Sequence, residues 1–226
     1  MNAAPSTATS AAAFVAEAAS SAERRVARRV GVIWALLFFD VLGGSSSLLV
    51  PIPHKLTQAM TQGALVVAAV LVVTINPRLR VRPNLFLGIY SVLAAETLMM
   101  SVRLVSFGTT YRAVRFLLFL GVLWLLTPWF GRRDMLILRS HLRVLVAIVA
   151  MVWLGFAIAP GKAYQAHRLG GAIWNVPPTQ VAHYTAELIG LVALIWLCGL
   201  TTRRTMLIIV VPVSYTHLTL PTNREV

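Results

Sequence analysis

An all-α, polytopic bundle of membrane-spanning helices, six spans and the start of a seventh, is the fold this sequence predicts. Three observations carry that reading. Hydrophobic residues make up 58% of the 226 and charged residues 12%, with a mean hydropathy of +0.78, far from the balance of a soluble domain. Apolar runs close to the roughly 20 residues that cross a bilayer as a helix recur along the chain. These runs are continuous, without the period-two alternation of a membrane barrel, the other spanning architecture.

Taken in order, residues 1–23 are rich in Ala, Ser and Thr, so 1–29 is expected to be a cytoplasmic N-terminal segment, either without stable structure or helical over Ala11–Arg29. The first apolar run begins near Val30 and is too long for a cleavable signal core, so it reads as an anchored span. Spans follow at Val30–Val50, Met60–Ile75, Leu85–Val105, Val114–Phe130, Val144–Ala159 and Val181–Leu200, and a seventh begins at Met206. The second is short and extends back into Leu56–Ala59. Asp40, near Gly43 and Gly44, marks packing or a local break in the first span. Cys198 is the single cysteine, which rules out a disulfide within the chain. With no repeat or second domain visible, residues 30–211 form one transmembrane domain.

The basic residues set the orientation. With the N-terminus inside, thirteen of the 20 Lys and Arg fall on inner segments: Arg24, Arg25, Arg28, Arg29, Arg78, Arg80, Arg82, Arg132, Arg133, Arg139, Arg143, Arg203 and Arg204. Six fall on outer ones: Lys55, Arg103, Arg112, Arg115, Lys162 and Arg168. This bias accounts for most of the net charge of +13. Nucleic-acid binding is excluded as its cause, because no run interleaves bases with aromatics on a soluble domain. Trp124, Trp129, Trp153, Trp174 and Trp196 suit span ends and interfaces.

The end of the chain has a different character. Val213–Thr222 reads VSYTHLTLPT, which resembles the translation of a transposase-type sequencing adapter (GTC TCT TAT ACA CAT CTG ACG CTG CCG ACG). Residues 212–226 are accordingly expected to be a non-native tail, with the transmembrane domain incomplete at Val211.

Chemistry concentrates in Arg168–Leu191, RLGGAIWNVPPTQVAHYTAELIGL. Gly170 and Gly171 permit backbone conformations closed to other residues and let amides approach a ligand closely. Pro177 and Pro178 impose an extended chain, and Thr179 is placed to cap the sixth span. A helix N-terminus favours an anion, and Arg168 adds a planar fork of donors suited to phosphate oxygens. A phosphate site at the outer face and a plain tight loop with Arg168 among headgroups both fit these residues. On the sixth span, Gln180, His183 and Glu187 share one face with Gly190 nearby. Glu187 sits about 10 Å along the helix from Gln180, a depth at which a carboxylate needs a cation, water or a structural partner. No metal site is expected, since His183 and Glu187 have no further ligands. Arg103, Arg112 and Arg115 form a second basic cluster around SFGTTY, suited either to a lipid pyrophosphate or to anionic headgroups. Glu96 is too far from Arg103 to pair directly and should meet another helix.

RLGG followed by PPTQVAHY and an apolar span resembles the arginine–glycine–proline signature of the O-antigen ligase and O-antigen polymerase superfamily. The resemblance covers the topology loosely and specific residues over Arg168–Gly190. Where that family commonly has Asn after the motif proline, Pro178 stands here. The resemblance implies metal-independent and cofactor-free glycosyl transfer from a polyprenyl diphosphate-linked glycan at the outer face of the plasma (inner) membrane. A sugar hydroxyl would attack the anomeric carbon, arginines would stabilise the departing diphosphate, and a histidine would act as base. It assigns diphosphate contact to Arg168, with Arg112 and Arg115 as helpers and Gly170, Gly171, His183 and Glu187 in the substrate-binding region. The catalytic residues are expected beyond Val211, and His167, His183 and His217 are not substitutes for them. The competing reading is a transporter or flippase for an anionic lipid-linked substrate using Glu187 and Glu96. A third, a non-catalytic scaffold, leaves the outer arginines unexplained. Nothing in the sequence sets an oligomeric state.

Overall fold

A computed structural model describes residues 7–42, 47–50, 52–104, 107–131, 135–165, 168–202, 204, 206, 207 and 210. Helix dominates them: α1 (Thr7–Val41), α2 (His54–Ile75), α3 (Leu85–Arg103), α4 (Phe107–Leu126) with a 3-10 turn at Thr127–Trp129, α5 (Leu136–Ile158), the single turn α6 (Pro160–Ala163) and α7 (Pro178–Leu197). Two two-residue strands, β1 (Tyr164–Gln165) and β2 (Arg168–Leu169), add a small hairpin to the expected all-helical fold. Among the described residues five helices are long and apolar enough to cross a membrane: α2, α3, α4 with its 3-10 turn, α5 and α7.

The first expected span departs from this pattern. Helix α1 is continuous from Thr7, so most of the N-terminal segment is helical, but it stops at Val41 instead of running to Val50. Arg24, Arg25, Arg28 and Arg29 lie inside it. The apolar part after them, roughly twelve residues, rises only about 18 Å at 1.5 Å per residue, short of a hydrocarbon core about 30 Å thick. Asp40 is buried one residue before the helix ends. Of the seventh run, Met206, Leu207 and Val210 are helical. Gly43, Gly44, Val211 and the tail 212–226 lie outside the described residues.

The chain divides into two compact units, residues 1–36 with 65–137, and residues 37–64 with 138–226. In the first, α3 and α4 form a helical hairpin around Leu87, Ala94 and Leu120, with Leu117, Leu123, Trp124 and Phe130 against them. Asn84 caps α3 by accepting the Leu87 amide at 3.1 Å, as expected of an Asn at this position. The hydroxyls of Ser91, Thr97 and Ser101 donate to carbonyls one turn back on the same helix. That back-bonding lets polar residues sit in an apolar span. Ser91 also accepts the Trp124 indole N–H at 2.8 Å, tying α3 to α4.

In the second unit, α5 and α7 pack antiparallel. His141 near the start of α5 meets Glu187 midway along α7. Gly155 near the end of α5 lies against Ala172 and Ile173, which precede α7. The core joins Leu145, Ile148, Val149 and Val152 to Val181, Tyr184, Leu188 and Val192. Both sets recur at three- and four-residue steps, which align them on one face of each helix. A Cβ on Gly155 would lie 3.2 Å from the Ile173 amide, so the smallest side chain lets the loop cross close to α5.

Candidate functional site

The loop between α5 and α7 is built from a hairpin and a tight turn. β1 and β2 pair antiparallel with Tyr164 opposite Leu169 and Gln165 opposite Arg168. The Gly170 amide extends the pairing by donating to the Ala163 carbonyl at 2.8 Å. Leu169 is buried and anchors the strand, while Arg168 is exposed. Among the described residues the Arg168 guanidinium has no carboxylate within pairing distance, and the loop contains no Asp or Glu.

Next, the turn closes on itself. The Gly171 amide donates to the Val176 carbonyl at 2.9 Å, and the Val176 amide donates to the Trp174 carbonyl at 2.8 Å. A Cβ on Gly171 would fall 2.1 Å from the Trp174 carbonyl oxygen. This glycine is therefore required for space. The expectation that Gly170 and Gly171 offer free amides to an anion is corrected: both glycines are buried and both amides are bonded within the loop.

The expected helix-terminus site is corrected as well. Helix α7 starts at Pro178 with Pro177 as its cap residue and no side-chain cap bond, so Thr179 sits inside the first turn and does not cap it. Two prolines remove two amide donors, and the amides of Gln180 and Val181 both donate to the Pro177 carbonyl. Proline at the first helical position is itself a favourable start. What the loop presents to an anion is the Arg168 side chain.

A second segment braces this loop from within the same unit. The Leu48 amide donates to the Ala172 carbonyl at 3.0 Å, and Lys162 Nζ donates to the Leu48 carbonyl at 3.0 Å. Trp174 Nε1 donates to the Leu42 carbonyl at 3.2 Å, and its ring packs at 5.1 Å from Phe39. Lys162 serves here as a tether on a neutral carbonyl.

On α7, the stripe of Gln180, His183, Glu187 and Gly190 flanks the buried face and does not line the interior together. His183 and Gly190 are exposed, Gln180 and Glu187 half-buried. Among the described residues only Glu187 of this stripe finds an ionisable partner: His141 Nε2 lies 2.7 Å from its Oε1, with the two side chains 16% and 35% exposed. Phe38 packs on both His141 and Tyr184, with ring centroids 5.2 and 6.3 Å away. His141 was missed from the sequence. A histidine at the head of an apolar helix, followed far downstream by an intramembrane carboxylate, was its only signal. The His183 ring lies 5.9 Å from Tyr184.

Arg112 and Arg115 belong to the first unit, near the start of α4, Arg112 exposed and Arg115 half-buried. Glu96, expected to meet another helix, is exposed on α3. No group of three or more His, Cys, Asp or Glu able to hold a metal occurs among the described residues. Comparison with protein-family models, with curated proteins and with solved structures gave no match.

Proposed function

We propose that this chain is the membrane domain of a glycan ligase or polymerase that uses a polyprenyl diphosphate-linked glycan at the outer face of the plasma membrane, with its N-terminus inside. A count of six spans and the start of a seventh requires a first span longer than the roughly twelve-residue apolar end of α1. The observation that supports the reading is Arg168: an exposed guanidinium without a described carboxylate partner, carried on a strand that pairs with β1 and is followed by the Gly170 amide bond to the Ala163 carbonyl. A planar fork presented this way suits the oxygens of a diphosphate. As the carrier leaves, negative charge grows on its terminal phosphate, and a pre-positioned cation lowers the barrier by meeting that charge as it forms. His141 is engaged with Glu187, and neither it nor His183 is assigned as the base.

Arg168 can be tested in the full chain by titrating it with a polyprenyl diphosphate oligosaccharide and, where transfer is measurable, by following product. Arg168→Ala is expected to weaken carrier binding about tenfold, with Arg168→Lys recovering part of it because charge is kept and the fork is lost. Equal binding and transfer by the alanine variant would remove the proposed site.

A second reading, a transporter or flippase for an anionic lipid-linked substrate, is favoured by the His141–Glu187 pair, since ionisable pairs inside membrane helices often mark conduction or proton paths. In liposomes, movement of a labelled lipid diphosphate between leaflets that Glu187→Gln abolishes would support it over the transferase.

A further inference from the structure

The connection between α2 and α3, residues 76–84, reads NPRLRVRPN and lies wholly within the first unit. Two buried polar side chains hold its backbone. Asn76, 5% exposed, accepts the Arg80 amide on Oδ1 at 2.9 Å and donates from Nδ2 to the Arg80 carbonyl at 2.7 Å and the Leu125 carbonyl at 3.0 Å. Thr127, 1% exposed, accepts the Arg82 amide at 2.7 Å and donates to the Trp124 carbonyl at 2.6 Å. Within this clamp Leu79 adopts φ of +47°, a left-handed conformation that a branched side chain takes only when its surroundings hold it there.

Three arginines ride on the clamped segment. Arg78, Arg80 and Arg82 are all exposed, and none has a carboxylate partner among the described residues. Alternating with them are Leu79 and Val81, more than half exposed, followed by Leu85 and Phe86, about three-quarters exposed. Arg80 and Arg82 are two positions apart, so their Cα atoms lie within about 7 Å of each other. A bias of positive charge toward one side of a membrane needs charge alone. It does not call for a backbone fixed through a buried asparagine and threonine, nor for a strained leucine. A dissolved polyanion would use the arginines and leave Leu79, Val81, Leu85 and Phe86 in water. A phospholipid uses both sets.

We propose that this loop is a binding site for a phospholipid headgroup carrying two phosphates joined by a short polyol. Arg80 and Arg82 each engage one phosphate, Arg78 adds charge at the rim, and Leu79, Val81 and Phe86 lie against the acyl chains. The site is independent of the Arg168 loop and of the glycan reading.

The test uses the full chain in a neutral detergent, titrated with fluorescent cardiolipin, phosphatidylglycerol and phosphatidylcholine, with tripolyphosphate as soluble competitor. Cardiolipin is expected to bind most tightly. Each neutralised arginine should weaken it about fivefold, so Arg80→Gln with Arg82→Gln lowers affinity about 25-fold. Removing the same charge elsewhere, Arg24→Gln with Arg25→Gln, should change it less than twofold. Both pairs sit on exposed positions, so folding is not at stake. Asn76→Ala keeps every arginine but frees the backbone, and should erase the preference for cardiolipin over phosphatidylglycerol. Equal losses from the two arginine pairs would reduce the loop to bulk charge, and binding of tripolyphosphate as tight as that of cardiolipin would show a soluble-polyanion site instead. Either result overturns the proposal.

Discussion

At the scale of single residues, the contact between His141 and Glu187 carries the clearest energetic consequence. The pair is short, mostly enclosed, and backed by Phe38 and Tyr184. Hydrogen bonds to charged groups contribute about 1.5–3 kcal/mol, so a double-mutant cycle of His141→Ala and Glu187→Ala should show coupling of about 1.5 kcal/mol in reversible unfolding from mixed micelles. His141→Ala should be the more damaging single change, because it strands a carboxylate in an apolar helix. Additivity of the two substitutions within about 0.3 kcal/mol would mean the contact contributes nothing to stability. Two further positions separate capping from close packing. Thr179→Ala should cost less than about 0.5 kcal/mol, because Thr179 makes no cap bond. Gly171→Ala should cost about 2 kcal/mol or more, because its new methyl group meets the Trp174 carbonyl. A larger loss from Thr179→Ala than from Gly171→Ala, in the same unfolding assay, would contradict the turn geometry.

At the scale of elements, how much the sequence revealed depended on how far apart the interacting residues were. The five long apolar helices were visible because burial in lipid demands unbroken runs; α2 reaches back through Leu56–Ala59 as anticipated and then on to His54. Helix α1 ends at Val41, short of the expected Val50; hydropathy averages over Gly43, Gly44 and Ser45–Ser47, residues that lipid tolerates but that a helix disfavours. Those residues, with Pro51 and Pro53, are breaker signals, and the helix ends just before them. In the Arg168 loop, the glycines and prolines announced a tight turn. The carbonyls that bond them were not legible: Ala163 and Val176 take up the Gly170 and Gly171 amides that were expected to approach a ligand. Glu187 announced a need for a partner, but nothing local said that α5 would supply it from 46 residues away. The arginines of the α2–α3 connection read as topology signals, since their backbone clamp depends on Thr127 and Leu125, some 45 to 49 residues downstream.

At the scale of the whole molecule, the thirteen-to-six distribution of basic residues proposes an N-terminus inside and the Arg168 loop outside. Single cysteines at Lys162 and at Arg80, each in a Cys198→Ser background, make this measurable with an impermeant thiol reagent on intact cells. Labelling at position 162 alone is expected, and labelling at position 80 alone would invert the topology.

The antiparallel pairing of α5 and α7 also bears on the order in which the chain is made. Synthesis proceeds at about 5–20 residues per second, so the 46 residues between His141 and Glu187 correspond to a delay of roughly 2–9 s. The imidazole is therefore already in the nascent chain when the carboxylate emerges. The costlier of the two groups to bury arrives second, to a partner laid down ahead of it. A chain whose helices were permuted so that the α7 sequence preceded α5 would have to insert its glutamate unaccompanied, and its yield of inserted protein should fall even though every contact in the finished fold could still form.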